Sequence, residues 1–393
     1  MIKSYVITIT EIDDSALALE ELSEQLSAIS LLKNTVGIVS VSIDYLETGV
    51  YEAVAKAAPF PVLGLSTYGQ NADGNISVYL FSILVLTSDD CEFAHGYSDI
   101  IPSQGDVDEL IKKLYQKCNR DLEDRAKIAF LYAPMMTFQF SFNYLEAIAK
   151  LDKALPVFGS LASCEAMKIM DESRTVYNAQ IFDNQLVMLL ISGNVAPSFY
   201  LGSLTKESII IPHFGEVTAA KDNAVMEINH QKVNDVFEKI GLKDGAIKDE
   251  GSLSLSILAE EKDSSGNLTS SAVRGLLAME EGVAVFGGRI PVGAVLSAAI
   301  STKEVIAQTA REVVKQIKAE HSDKTILLYS CLGRQISLLD EPMMEYEIID
   351  DELRDSSFRY VAAVSGGELC PVSVTETKAE NSEHNQTLIA CVL

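Results

Sequence analysis

The sequence predicts an α/β protein built of mixed β-sheets flanked by helices, in two halves that repeat a strand–helix–strand–turn–strand unit. Three observations carry this. Short runs rich in Val, Ile and Leu alternate with amphipathic stretches along most of the 393 residues, as in strands covered on both faces. The same order occurs three times. A further strand follows each turn with no helix between, which separates the pattern from a plain Rossmann alternation and favours mixed sheets.

In the first occurrence, "YVITIT" (5–10) reads as a strand and "DDSALALEELSEQLSAI" (13–29) as a helix opened by an Asp–Ser start signal. "VGIVSVS" (36–42), "PVLGLS" (61–66) and "VYLFSILVL" (78–86) read as strands, with a helix over "LETGVYEAVAKAA". The second occurrence has strand 127–134, helix 142–154 and strand 155–165. A hairpin of "TVYNAQIF" and "QLVMLLIS" follows, turning at Asp183-Asn184. The third has "TILLYSCLGRQ", a helical stretch through "MMEYEIIDDELRD", then "YVAAVSGGELCPV" and the final strand "QTLIACVL". Three small-residue turns mark the repeat: "GLSTYGQ" (64–70), "GSLASCE" (159–165) and "AAVSGGE" (362–368). Aligned without gaps, they end in Gln70, Glu165 and Glu368. A boundary is expected in "SGNVAPSFYLGS", giving domains 1–195 and 196–393. In the second, "GEVTAAKDNAVMEINHQKVNDVFEKIGL" reads as a hairpin and a short helix, and 262–271 as a loop between two strands.

Composition narrows the function. With 56 acidic against 31 basic residues the formal net charge is −25, and the chain repels nucleic acid and anionic membranes unless a basic patch is concentrated locally. The densest candidate, "IKKLYQK" (111–117), reads as one solvated helix face. No apolar run reaches the ~18 residues of a membrane span, and "MIKSYVITITEIDD" lacks the features of a signal peptide. The six cysteines are scattered without C-x-x-C spacing, as reduced thiols of a cytoplasmic protein are. The five histidines are equally scattered, so neither a metal nor a cofactor is expected.

Gly64, Ser66, Thr67 and Gly69 could form a backbone cradle for an anion, but the segment lacks the GK[ST] of a Walker loop and reads more readily as a tight turn. Cys331 and Arg334 form the second candidate. A cation beside a thiol raises its thiolate fraction, yet a cysteine closing an apolar run reads more readily as a packed pocket wall. Arg334, at a strand's C-terminal end beside Gly333, is placed to grip a carboxylate or to pair internally with Glu368. Arg274 interrupts an apolar strand, either facing a pocket or lying at a sheet edge. The acidic run 348–355 reads as a solvated helix end.

"YSCLGRQ" and "SGGELCP", in that order near the C-terminus, resemble the C-terminal portion of FIST domain proteins. There a C-x-G-R segment ends a late strand and a Gly-Glu pair follows in a turn. The matching residues are Cys331, Gly333 and Arg334, then Gly367 and Glu368. "PVLGLSTYGQ" and "PVFGSLAS", the latter with Gly159, resemble the family's N-terminal half, and "AVRGLLAM" places Arg274 on the family's arginine. Gln70 stands where acid is common, and "AAVSGG" replaces an aromatic-containing turn.

The resemblance implies intracellular small-ligand sensing in signal transduction, with amino acids as the ligand class and no established catalysis. It also implies output through a separate kinase, chemotaxis or cyclase protein. The expected site joins Arg334 and Arg274 on an anionic group with Glu368 orienting Arg334 or accepting an amine. Cys331, Gly333, Gly367, Gly64, Ser66, Thr67 and Gly159 would line it. The rivals are a Cys331-dependent hydrolase or transferase acting on a small anionic metabolite, and a scaffold protein.

Overall fold

Three strand–helix–strand units close into a ring, and each unit lends a hairpin to a neighbour's sheet. The computed structural model describes residues 2–103, 105–136, 139–165, 172–242, 255–262, 268–280 and 282–393. The first unit runs β1 (Lys3–Ile9), α1 (Ser15–Ser27), β2 (Asn34–Val41), α2 (Ile43–Glu47), α3 (Val50–Ala57), β3 (Val62–Ser66), the hairpin β4 (Gln70–Ala72)–β5 (Asn75–Ser77), and β6 (Phe81–Ser88). The second runs β7 (Cys91–Ile100), α4 (Asp108–Asn119), β8 (Ile128–Ala133), α5 (Ser141–Leu151), β9 (Val157–Leu161), the hairpin β10 (Thr175–Tyr177)–β11 (Gln180–Phe182), and β12 (Gln185–Gly193).

The third unit opens with β13 (Ser198–Gly202) and is interrupted by an insertion. The insertion holds β14 (Ile209–Lys221), β15 (Ala224–Ile228), β16 (Gln231–Lys232), α6 (Val233–Lys239), β17 (Leu255–Lys262), β18 (Leu268–Glu280), β19 (Val283–Phe286) and β20 (Val295–Ile300). The unit then resumes with α7 (Lys303–Glu320), β21 (Thr325–Cys331), α8 (Leu332–Ser337), α9 (Met344–Leu353), β22 (Arg359–Ser365), the hairpin β23 (Gly367–Val374)–β24 (Ala379–His384), and β25 (Leu388–Val392). The loop expected at 262–271 lies largely outside the described residues.

The sheet orders are β1-β6-β2-β3-β10-β11, β7-β12-β8-β9-β23-β24 and β13-β25-β21-β22-β4-β5. Each thus keeps four strands of its own unit and takes a hairpin from another. Within each, the one parallel pair (β2–β3, β8–β9 or β21–β22) is bridged by helices, as parallel pairing demands. Two of the three sheets contain strands from both sides of residue 195.

The inner faces of all three sheets share one core, with Ile38, Phe130, Phe158 and Tyr329 among its members. Each outer face packs its own helices in a separate cluster. Burial on both faces explains the near-continuous apolar runs. Helix α7, unassigned from sequence, buries Val305, Ile306, Val313, Val314 and Ile317 on one face, with Thr302 Oγ1 accepting from the Val305 N–H at its start. The insertion forms a seven-stranded sheet, β14-β20-β17-β18-β19-β15-β16, with its own core.

Ladder register corrects one sequence-based equivalence. Gln70 pairs with Ala363, Glu368 with Ser160, and Thr175 with Leu65. The equivalent of Gln70 and Glu368 in the second unit is therefore Thr175, because that unit's crossover is longer. Glu165 is exposed instead.

Candidate functional site

The three turns meet at one end of the ring, where the parallel strands finish. Ser66 Oγ donates to the Ser163 carbonyl at 3.0 Å, Thr67 Oγ1 to that of Val364 at 2.8 Å, and Ser163 Oγ to Val364 at 2.9 Å. Backbone N–H groups are spent in the same way: Ser66 on Arg174, Thr67 on Val41, and Ser163 on Ser66. These donors are therefore not presented to an anion, and the turn is a staple between units.

Gly64 and Gly159 serve strand packing. A Cβ at Gly64 would lie 2.0 Å from the Val39 carbonyl oxygen, and one at Gly159 1.9 Å from that of Leu131. Gly367 is held more loosely, its Cβ position 3.0 Å from Leu161 Cδ1. Gly333 makes room for Gln386, whose Nε2 lies 2.4 Å from where a Cβ would stand.

Arg334 is fully buried on α8. Its Nη2 lies 2.5 Å from Glu345 Oε1 and donates to Thr309 Oγ1 at 3.0 Å, and its Nε donates to Glu345 at 3.2 Å. Ser330 Oγ donates to the same carboxylate at 2.5 Å. The arginine expected to hold an anion is thus matched by an internal one. Its partner is Glu345, not Glu368. Sequence carried a signal for this: Glu345, Ile349 and Leu353 fall on one helical stripe, so a carboxylate occupies an apolar position. The acidic run also departs from a solvated end, since Asp350 is buried and accepts from Tyr360 Oη at 2.7 Å.

Arg274 stands elsewhere. It donates to the carbonyls of Arg289 at 3.0 Å and Glu383 at 3.1 Å, and its Nη2 is 3.9 Å from Glu383 Oε1. In the β23–β24 ladder Glu368 faces His384 while Leu369 faces Glu383. Alternation along a strand puts the Glu368 and Glu383 side chains on opposite faces. Arg274 and Arg334 therefore do not converge. Arg274 lines a cleft of about 760 Å³ between the inserted sheet, α5 and β24, with Arg289 and Glu146 paired across it.

What gathers at the ring's end in the third unit is Glu368, Cys331, Gln386 and Tyr346. Glu368 is wholly buried, and among the described residues no regular hydrogen bond reaches either carboxyl oxygen. Burial pushes its pKa well up; the Ser365 hydroxyl, the Cys331 thiol and the Thr387 N–H, close to the carboxyl but outside regular hydrogen-bond geometry, and the Arg334 charge pull the other way without prevailing. Burial, with Glu368 beside it, also pushes the Cys331 thiol far above its ordinary range, the opposite of an activated nucleophile. His384, across the ladder, has its Nε2 3.0 Å from the Cys370 carbonyl, and burial lowers its pKa to about 4. Tyr346 Oη and the side-chain oxygens of Gln386 and Gln335 are likewise buried without partners among the described residues. Gln386 and Tyr346 were not identified from sequence. A glutamine in a polar loop and a tyrosine on an amphipathic helix carry no distinguishing spacing. Among the described residues no group of His, Cys, Asp or Glu is arranged to hold a metal.

The sequence matches the FIST N domain over residues 35–231 and the FIST C domain over 238–371. A search of curated proteins returns no match. Among solved structures, a cyanuric acid hydrolase from A. caulinodans aligns over 100% of this chain and 99% of its own at 7% identity, with a TM-score of 0.33. That likeness is too slight to bear on fold or function.

Proposed function

The chain belongs to the FIST family, and from that premise we propose that it senses a small ligand at the ring's end, around Glu368, Cys331, Gly333, Gln386 and Tyr346. FIST domains are associated with small-ligand sensing in signal transduction. The observation that carries the reading is the wholly buried Glu368 carboxyl, which among the described residues has no regular hydrogen-bond partner and lies beside further buried oxygens in the same position. Each such group costs about 1–3 kcal/mol, a cost that a bound ligand offsets. Gly333 and Gly367 keep the surrounding backbone close, while Arg334, held by Glu345, fixes the wall. Arg334 acts on the ligand through position and field.

The ligand in this reading is an amino acid or a metabolite of that size. Output passes in the cytoplasm to a separate signalling protein of the kinase, chemotaxis or cyclase kind. No helix among the described residues is long and apolar enough to cross a membrane. A thermal-shift screen of amino acids and related metabolites tests the reading, with Glu368→Gln run alongside. A ligand that stabilises the wild type and not the variant is expected. If no ligand stabilises the wild type, or the variant responds identically, the site is wrong.

A further inference from the structure

Of the buried polar atoms left over here, those of Glu368, Gln386 and Gln335 are carboxyl or amide oxygens, while Tyr346 Oη is a hydroxyl that donates as well as accepts. An amide oxygen only accepts hydrogen bonds, and so does an ionised carboxylate. Among the described residues the side-chain oxygens of Gln386 and of an ionised Glu368 have no regular partner and call for donors. Nearby positive charge is already taken. Arg334 is matched by Glu345 at 2.5 Å, and Arg274 lies on the other face of the β23–β24 hairpin with Glu383. An ionised Glu368 thus leaves one buried negative charge uncompensated, whereas a carboxylate or phosphate ligand would meet acceptors and like charge. A protonated amine brings N–H donors, no acceptor and the missing positive charge.

Resting on the sensing role above, we infer that the group this site recognises is the ammonium of an amine-bearing ligand, held by Glu368 and the Gln386 amide oxygen, and that a ligand's carboxylate, where it has one, is not gripped by either buried arginine. Binding then exchanges one proton: the Glu368 carboxylic acid gives its proton to solvent as R–NH3+ enters, leaving a carboxylate–ammonium pair. The titratable and charged groups facing Glu368 are Cys331 on β21, Arg334 on α8, Tyr346 on α9 and His384 on β24. Burial holds the thiol and phenol protonated and the imidazole neutral around neutral pH, so Glu368 alone changes charge. Amine affinity should rise with pH by about tenfold per unit for as long as free Glu368 is protonated.

The test titrates the full chain with ethylammonium chloride, glycinamide, glycine and sodium propionate, following thermal stabilisation and heat of binding at several pH values. Ethylammonium and glycinamide should bind, with affinity growing with pH and about one proton released per site, measured in buffers of different ionisation heats. Propionate should not bind. Glu368→Gln should abolish the response and Gln386→Met should weaken it. Gln70 shows that an amide fits the equivalent slot, with Nε2 donating to the Ser40 and Leu80 carbonyls, so the first variant is expected to fold, and its melting curve checks this. Binding of propionate in place of the amines, lost in Glu368→Gln, overturns the ammonium assignment and leaves the sensing site standing. Amine binding that survives in a folded Glu368→Gln, or that releases no proton, also overturns it. Absence of binding by every probe overturns the assignment, while the metabolite screen decides separately whether the site binds anything.

Discussion

Replacing Glu368 by glutamine should stabilise the ligand-free protein, and by more as the pH rises. Glu368 is wholly buried and its folded-state pKa lies well above the carboxylate's ordinary value. Between the unfolded and folded pKa values the native state holds a proton that the unfolded chain has released. Stability is therefore full below about pH 4.5 and falls as pH rises toward the folded pKa, by about 1.4 kcal/mol per unit. Two units inside that window amount to about 2.7 kcal/mol. The amide of the Glu368→Gln variant carries no such titration, so the difference between variant and wild type isolates it. His384 acts in the opposite sense: its pKa is lowered to about 4, so its contribution is lost as pH falls from about 6.5. It is present in both proteins and cancels. Urea denaturation at pH 5, 6 and 7 measures the gap. A gap that stays constant across that range would falsify the argument, because a fixed packing difference has no pH slope.

Arg334→Met should cost about 3–5 kcal/mol, since it strands the Glu345 carboxylate in the core, and adding Glu345→Leu should recover much of the loss; chemical denaturation of the single and double variants checks both. Gly64→Ala should cost at least the upper end of about 1–3 kcal/mol, because the new methyl meets the Val39 carbonyl at 2.0 Å and backbone cannot yield as a side chain does; failure to accumulate folded protein is the extreme outcome. In the folded protein at neutral pH, Cys331 should react with a thiol-specific reagent far more slowly than in the denatured chain, and rapid stoichiometric labelling would revive the enzymatic alternative. Arg274→Met should lower stability while leaving the ethylammonium response intact, and an altered response would tie the cleft beside the inserted sheet to the ligand site.

Most strands and helices of the three units were legible because burial on both sheet faces writes itself as apolar runs, but β7 and β13, whose faces alternate or are partly exposed, were not. The turns "GLSTYGQ", "GSLASCE" and "AAVSGGE" were legible as a repeat. The pairing partners were not. Strands β4 and β5 have three residues each, too short for a period, and their place is set by β22 of another unit. Glu165 was aligned with Glu368 because counting residues cannot see a longer crossover, which only the ladder register reveals.

From the sequence came the fold class, three occurrences of one unit, and a buried strand closing at Cys331, whereas Arg334, expected at that strand's end, lies on α8. What those residues face was set by contacts between distant elements. Strand alternation put Glu368 and Glu383, which Arg274 of β18 meets, on opposite faces of one hairpin, and packing of α9 brought Glu345 onto Arg334. Among the described residues, Glu368 is consequently a wholly buried carboxyl with no regular partner on either oxygen. Charge balance in a core depends on which side chains meet across elements far apart in the chain, and spacing along a sequence does not record that.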